Sequence, residues 1–133
     1  MDKALAQEVR HRADSRCEYC RLHQRFRRFP HVIDHIIARQ HAGPTVSDNL
    51  ALCCGHCNLH KGPNLSGIDP ASGTLTRLFH PRRDAWDAHF QWRGAVVVGL
   101  TDVGRTTIAV LAMNAAEQVA DRAARIEEGL FPD

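Results

Sequence analysis

Two Cys-x-x-Cys pairs, Cys17-Glu18-Tyr19-Cys20 and Cys54-Gly55-His56-Cys57, stand thirty-three residues apart in this chain. No other feature limits the fold as strongly. A tight C-x-x-C turn lets two thiolates face one ion, and two such turns complete a tetrahedral zinc site. The gap exceeds the spacing of the simplest zinc ribbon. It has room for a strand, a loop and a helical turn, so one zinc ion would clamp the first knuckle to the start of a helix. A redox disulfide is the rival reading of C-x-x-C, but it calls for a βαβ surround that the flanking sequence lacks. Four unligated buried cysteines are the plain alternative. Cys53 would give the wrong spacing to Cys57 and is expected as a small core residue. His56, inside the second knuckle, is a substitute ligand at most.

Bulk properties fit this reading. A chain of 133 residues suits one domain. Aromatics make up only 6%, so the core must rest on Leu, Val, Ile and Ala, and a metal staple would help a core of that size. No apolar run approaches the length of a transmembrane helix, and no membrane partner is expected. The first residues carry charges where a signal peptide needs an apolar core. Five cysteines also fit poorly with a complete disulfide framework. The expectation is a cytoplasmic protein with reduced thiols.

The net charge of +2 hides an asymmetry. Residues 1–83 carry thirteen Lys/Arg against seven Asp/Glu, and residues 84–133 carry four against eight. Fifteen of the seventeen basic residues are arginine, whose rigid fork of donors suits phosphate. A solvated surface accounts for the charge equally well. Arg21, Arg25, Arg27 and Arg28 interleave with Phe26 and Phe29. The favoured reading is a mixture, with the phenylalanines in the core and the arginines exposed toward a polyanion.

Residues 3–14 read as a helix with Leu5, Val9 and Arg12 or Ala13 on one face. His31 to Ile37 reads as a short strand. A loop with Gly43-Pro44 follows, then a helical turn that starts at Ser47-Asp48 and carries Asn49, Leu50 and Leu52. A helix from about Gly55 stops at Gly62-Pro63. Residues 63–75 read as loop, Leu75–Phe79 as a short strand or turn, and Arg82–Phe90 as a short helix. Strand pieces flank Arg93-Gly94. Thr101 or Asp102 caps a helix to about Met113. A last helix spans about 114–128, with Ala116, Val119, Ala120 and Ala123 or Ala124 on its apolar side.

Four polar residues in the central unit suggest chemistry. Asp34 is an oxygen ligand for a hard divalent cation. His35 is a general base near neutral pH. The Asn49 carbonyl is placed to fix the His35 ring, and Asn58, directly after a zinc ligand, offers a second neutral oxygen. Hydrolysis of a phosphodiester needs this combination of base and cation.

The motifs CEYC, DHI, SDNLALC and CGHCNLHKG together resemble the HNH endonucleases, the zinc-supported branch of the ββα-metal (His-Me finger) nucleases. The resemblance covers roughly residues 15–62. It implies an α+β fold: a ββα-metal nuclease core stapled by a four-cysteine zinc site (Cys17, Cys20, Cys54, Cys57) and flanked by helices. It also implies a catalytic divalent ion, Mg²⁺ or another, held by Asp34 and Asn58. His35 would activate water and Asn49 would hold His35. The family often has histidine where Asn58 stands. The C-terminal stretch is similar to an extension of some bacterial HNH proteins.

The domain expectation is a core over 1–83 and a helical extension over 84–133 packed on it, in a single compact domain. The expected partner is DNA, with RNA possible, contacted by Arg25, Arg27, Arg28, Arg39 and Lys61. Arg77, Arg82 and Arg83 would reach the DNA backbone or simply be solvated, and His60 would assist the metal. A non-catalytic zinc module that binds nucleic acid is the main alternative.

Overall fold

The computed structural model describes residues 1–133. The chain is α+β, a mixture of helices and three separate two-stranded antiparallel sheets. Its contacts divide it into two units: Met1–Asn64 with His80–Arg83, and Leu65–Phe79 with Asp84–Asp133.

The first unit is built from helix α1 (Lys3–Arg12), strands β1 (Val32–His35) and β2 (Leu50–Cys53), and helix α2 (Gly55–Lys61). The Asp2 carboxylate caps α1 by accepting the Ala4 N–H. Val9 then packs with Leu50 and Leu52, and Leu5, Ala13 and Ile33 close around them. At the end of α1 the Arg12 guanidinium donates to the Ser47 hydroxyl and to the Ser47 and Leu50 carbonyls.

β1 and β2 pair in the register Val32↔Cys53 to His35↔Leu50. Sequence reasoning placed Leu50 and Leu52 on a helical turn. Only Ser47–Asn49 turns, and Leu50–Cys53 is a strand with all four residues buried. The apolar run without alternation reflects that burial on both faces. The first knuckle lies against the same strand: the Glu18 N–H donates to the Leu52 carbonyl, and the Glu18 carboxylate accepts the Leu52 N–H. Cys54 caps α2, its sulfur accepting the Cys57 N–H.

The second unit contains strands β3 (Ser66–Ile68) and β4 (Leu75–Arg77), helix α3 (Trp86–His89), strands β5 (Phe90–Arg93) and β6 (Val96–Gly99), and helices α4 (Asp102–Val110) and α5 (Ala116–Glu127). The Thr101 side chain caps α4. Residues 82–85 lie outside α3, which is shorter than the periodicity suggested. Trp86, Phe90, Trp92 and Phe131 form a chain of ring contacts.

The alanine face expected to pack α5 does not do so. Gln118 and Arg122 are its buried residues. The Arg122 guanidinium donates to the Ala95 and Met113 carbonyls and lies over the Trp92 ring. A stack and matched hydrogen bonds allow an arginine to be buried where alanines look better suited.

Candidate metal centre and cleft

Four sulfurs, from Cys17, Cys20, Cys54 and Cys57, lie within 4.8 Å of one another and all four residues are buried. Cys20 Sγ and Cys54 Sγ are 3.8 Å apart, the edge length (about 3.8 Å) of a tetrahedron with metal–sulfur bonds near ~2.3 Å. The Cys20 N–H donates to Cys17 Sγ and the Cys57 N–H to Cys54 Sγ, each at 3.4 Å. These bonds orient the sulfurs and stabilise negative charge on them. All five cysteines are free, and Cys53 is buried beside the cluster without joining it.

The thiol acidities carry the mark of a crowded site. Burial pushes the Cys17 thiol up, but hydrogen bonds from Cys20, Cys53, Cys54 and Cys57 outweigh it and bring Cys17 well below the ordinary range. Cys20 and Cys57 are pushed well above it, foremost through their interaction with the Cys17 sulfur. Several buried thiolates together need a cation, and a bound divalent ion supplies that charge. The donor set fits a tetrahedral thiolate metal site.

The second feature is an open cleft of about 350 Å³, lined among others by Asp34, His35, Arg39, Asn58, Gly62 and Pro63. Asp34 and His35 end β1, and Asn58 lies on the half-buried side of α2. His35 Nε2 is 2.8 Å from the Thr45 hydroxyl.

Asn49 does not hold the His35 ring. Its carbonyl accepts the Ile37 N–H at 2.9 Å, and its amide donates to the Ile37 and Pro44 carbonyls. Asn49 therefore braces the 37–45 loop, and Thr45 at the end of that loop touches the histidine. Gly43 completes the brace: a Cβ there would fall 1.7 Å from the Ile37 carbonyl oxygen. Thr45 escaped sequence reasoning because a lone threonine in a polar loop has no spacing signature.

Asp34 is 6% exposed. Its Oδ2 accepts the Tyr19 hydroxyl at 3.0 Å and lies 3.1 Å from Lys61 Nζ. Burial raises the Asp34 carboxyl above its ordinary range, with Lys61 and Tyr19 opposing the shift. Tyr19 is raised as well, first by burial and then by the Asp34 charge. A carboxylate has about four acceptor positions. Lys61 Nζ also lies 3.4 Å from Oδ1, so both oxygens are engaged. Asp34 and Asn58 line the same cleft, and oxygen donors of this kind fit a hard divalent cation.

Lys61, expected to reach phosphate, is 2% exposed. Its ammonium also donates to the His35 and Ile36 carbonyls, at 3.3 and 3.2 Å. The lysine is a buried bolt between α2 and β1, with no free charge for a backbone phosphate. His60 is exposed and does not line the cleft.

Arg25, Arg28 and Arg39 are exposed and Arg27 half-buried. Phe29, expected in the core, is 72% exposed, with the Arg28 guanidinium 5.5 Å from its ring centre. Phe26 is half-buried under Arg25 in the same manner. Arg77 pairs with Asp84 and Arg82 with Glu18, so neither is simply solvated. No helix is long and apolar enough to cross a membrane.

Residues 17–64 match the family model of the HNH endonucleases. The matched segment runs from the first cysteine knuckle through β1, β2 and α2. It contains all four clustered cysteines and every cleft residue named above. Searches of curated proteins and of solved structures gave no match.

Proposed function

We propose that the chain is a divalent-metal-dependent endonuclease that hydrolyses DNA phosphodiester bonds, with zinc as the structural ion of its four thiolates. The observation that carries the reading is the cleft: a histidine, a carboxylate and a neutral amide share it with an exposed arginine inside the HNH segment. Thiolate softness and tetrahedral spacing favour zinc at the cysteines. Oxygen donors favour Mg²⁺ or a similar hard ion at Asp34 and Asn58.

His35 takes the proton from the attacking water. With Nε2–H donating to the Thr45 hydroxyl, Nδ1 would keep the lone pair that a base requires. The water oxygen forms a new P–O bond as one ester P–O bond breaks. Asp34, fixed by Tyr19 and Lys61, and Asn58, on the cysteine-anchored helix, would hold the cation. When bound, that ion stabilises the developing negative charge and the leaving oxygen. Arg39 neutralises phosphate charge at the rim, and Asn49 acts at one remove by fixing the loop that carries Thr45.

Supercoiled plasmid provides the test. Zinc-loaded protein should cut it when Mg²⁺ is added and not in excess EDTA. His35→Ala should slow cutting by about 10²- to 10⁴-fold while keeping zinc and the melting temperature. A wild-type rate from His35→Ala would overturn the assignment.

A non-catalytic zinc module that binds nucleic acid is favoured by one observation, the engagement of Asp34 by Lys61 and Tyr19. Salt-sensitive DNA binding with no Mg²⁺-dependent cleavage would select that reading.

A further inference from the structure

Helix α2 has three working faces. Cys57 and Lys61 are buried on one, and Asn58 lines the cleft on another. The third carries His56 and His60, four residues apart and so one above the other on the helix. Their ring centres are 4.3 Å apart, with the planes tilted by 44°. His60 is exposed and His56 half-exposed. Neither belongs to the cysteine cluster or to the cleft.

We propose that His56 and His60 form a second metal site, a clamp across one turn of α2 for a divalent transition ion with tetragonal preference, Cu²⁺ or Ni²⁺. Two imidazoles at i and i+4 on one helix face are a chelating pair. A metal–nitrogen bond of about 2.1 Å puts the ion about 3.2 Å from each ring centre. Two rings meeting it at a right angle then have centres about 4.5 Å apart, and at a tetrahedral angle about 5.2 Å. The observed 4.3 Å is close to the right-angle value. Right angles belong to square-planar and tetragonal N-ligated Cu²⁺ and Ni²⁺, tetrahedral angles to zinc. Imidazole also suits these ions, whereas the thiolates across the helix retain zinc by softness and by four-fold ligation. The clamp is independent of the proposed nuclease chemistry.

Occupancy has a structural consequence. α2 is only seven residues long, a length at which a helix depends on its anchors. A bound ion would tie the first turn to the last and so raise the melting temperature as its concentration rises.

The test uses the full-length zinc-loaded protein titrated with NiCl₂ in a calorimeter, with zinc content assayed afterward. One Ni²⁺ per chain should bind while the zinc stays in place. Losing a ligand should cost at least what losing its hydrogen-bonded support costs elsewhere, so His56→Ala and His60→Ala should each weaken Ni²⁺ by about 10- to 100-fold or more. Leu59→Ala, at a neighbouring exposed position, should bind Ni²⁺ like wild type. With Cu²⁺ as the probe, the electron paramagnetic resonance spectrum should show two coupled nitrogens, and one in either histidine variant. Four results would overturn the clamp: no saturable Ni²⁺ binding, wild-type affinity in His60→Ala, stoichiometric zinc release, or half an ion per chain, which would put the metal between two copies.

Discussion

Each unit buries a carboxylate against a basic partner, and the two pairs do different things. In the second unit Asp69 accepts both forks of Arg105, at 3.0 and 2.9 Å, and its remaining acceptor capacity goes to the Ala71 N–H and the Ser72 hydroxyl. Every bond closes within the second unit, and the carboxylate ties the β3–β4 turn to α4. In the segment that matches the HNH model, Asp34 is also paired, to Lys61 and Tyr19, yet it stays on the wall of an open cleft beside His35 and Asn58. A buried charge with all its partners inside the protein is scaffold. One that lines an open cleft beside a histidine and an amide is a candidate for chemistry.

The largest expected effect separates the units by what holds them together. Binding free energy at a structural zinc site is folding free energy, about 10–16 kcal/mol in small zinc modules. Cys54→Ser should lose zinc and unfold the matched segment, even though a serine hydroxyl can still cap α2. Cys53→Ser should keep one zinc per chain. Metal analysis with circular dichroism reads both, and zinc retention in Cys54→Ser would show that the cluster does not hold zinc through that thiolate.

Lys61 gives the next largest effect. Truncation to Ala would leave the Asp34 charge buried without its partner, at a cost of about 3–5 kcal/mol. Adding Asp34→Asn should recover part of that loss, since the two residues share one interaction. A loss below about 1 kcal/mol in denaturant unfolding of Lys61→Ala would mean that the pair is effectively solvated, and the contrast with an ordinary surface pair would disappear.

Much of the cleft was legible from residue types and spacing. Two C-x-x-C pairs fixed the knuckles, and the adjacent Asp34-His35 and Cys57-Asn58 pairs tied the polar groups to them. The misreadings share a physical cause. Lys61 looks exposed because lysine usually is, and only the three-dimensional meeting of α2 with β1 reveals a carboxylate and two carbonyls waiting for it. Asn49 lies near His35 in space without touching its ring, and sequence proximity cannot separate bracing a loop from bracing a side chain. Leu50–Cys53 lacks alternation because both its faces are covered. Gln118 and Arg122 are buried on α5, and the partners that Arg122 finds there, Ala95, Met113 and Trp92, come from distant turns. Polar burial depends on partners, and partners are the last thing periodicity encodes.

Acid should pull the two carboxylates in opposite directions. Arg105 holds Asp69 well below the usual carboxylate range despite its burial. That contribution is present above the unfolded value near ~3.9 and is lost as pH falls below it. Asp34 is raised, foremost by burial, so the folded state holds its proton more tightly and the Asp34 penalty eases as pH falls. The stability difference between wild type and Asp69→Asn should therefore shrink on acidification, while that between wild type and Asp34→Asn shifts in favour of wild type. Melting temperatures of the three proteins between neutral and acid pH measure it. Parallel curves for the two variants would remove the distinction between the pairs.

The smallest effect concerns surface charge. Arg27 and Arg28 lie in the arginine-rich stretch before β1, with Arg28 exposed beside the exposed ring of Phe29. Arg125, on α5, is held by Asp121 and Glu128. A cation that meets a phosphate releases a condensed counterion, about 0.9 of one per contact on duplex DNA, so the logarithm of affinity falls with the logarithm of salt in proportion to the number of contacts. Neutralising Arg27 and Arg28 together should reduce that slope by roughly one to two units. Arg125→Gln should leave it unchanged, because its charge is already matched by two carboxylates. The comparison needs only fluorescence anisotropy on a labelled duplex over a salt series, with EDTA present to prevent cutting. A slope that stays at the wild-type value in Arg27→Gln/Arg28→Gln, or falls equally in Arg125→Gln, would move the nucleic-acid face away from the stretch before β1.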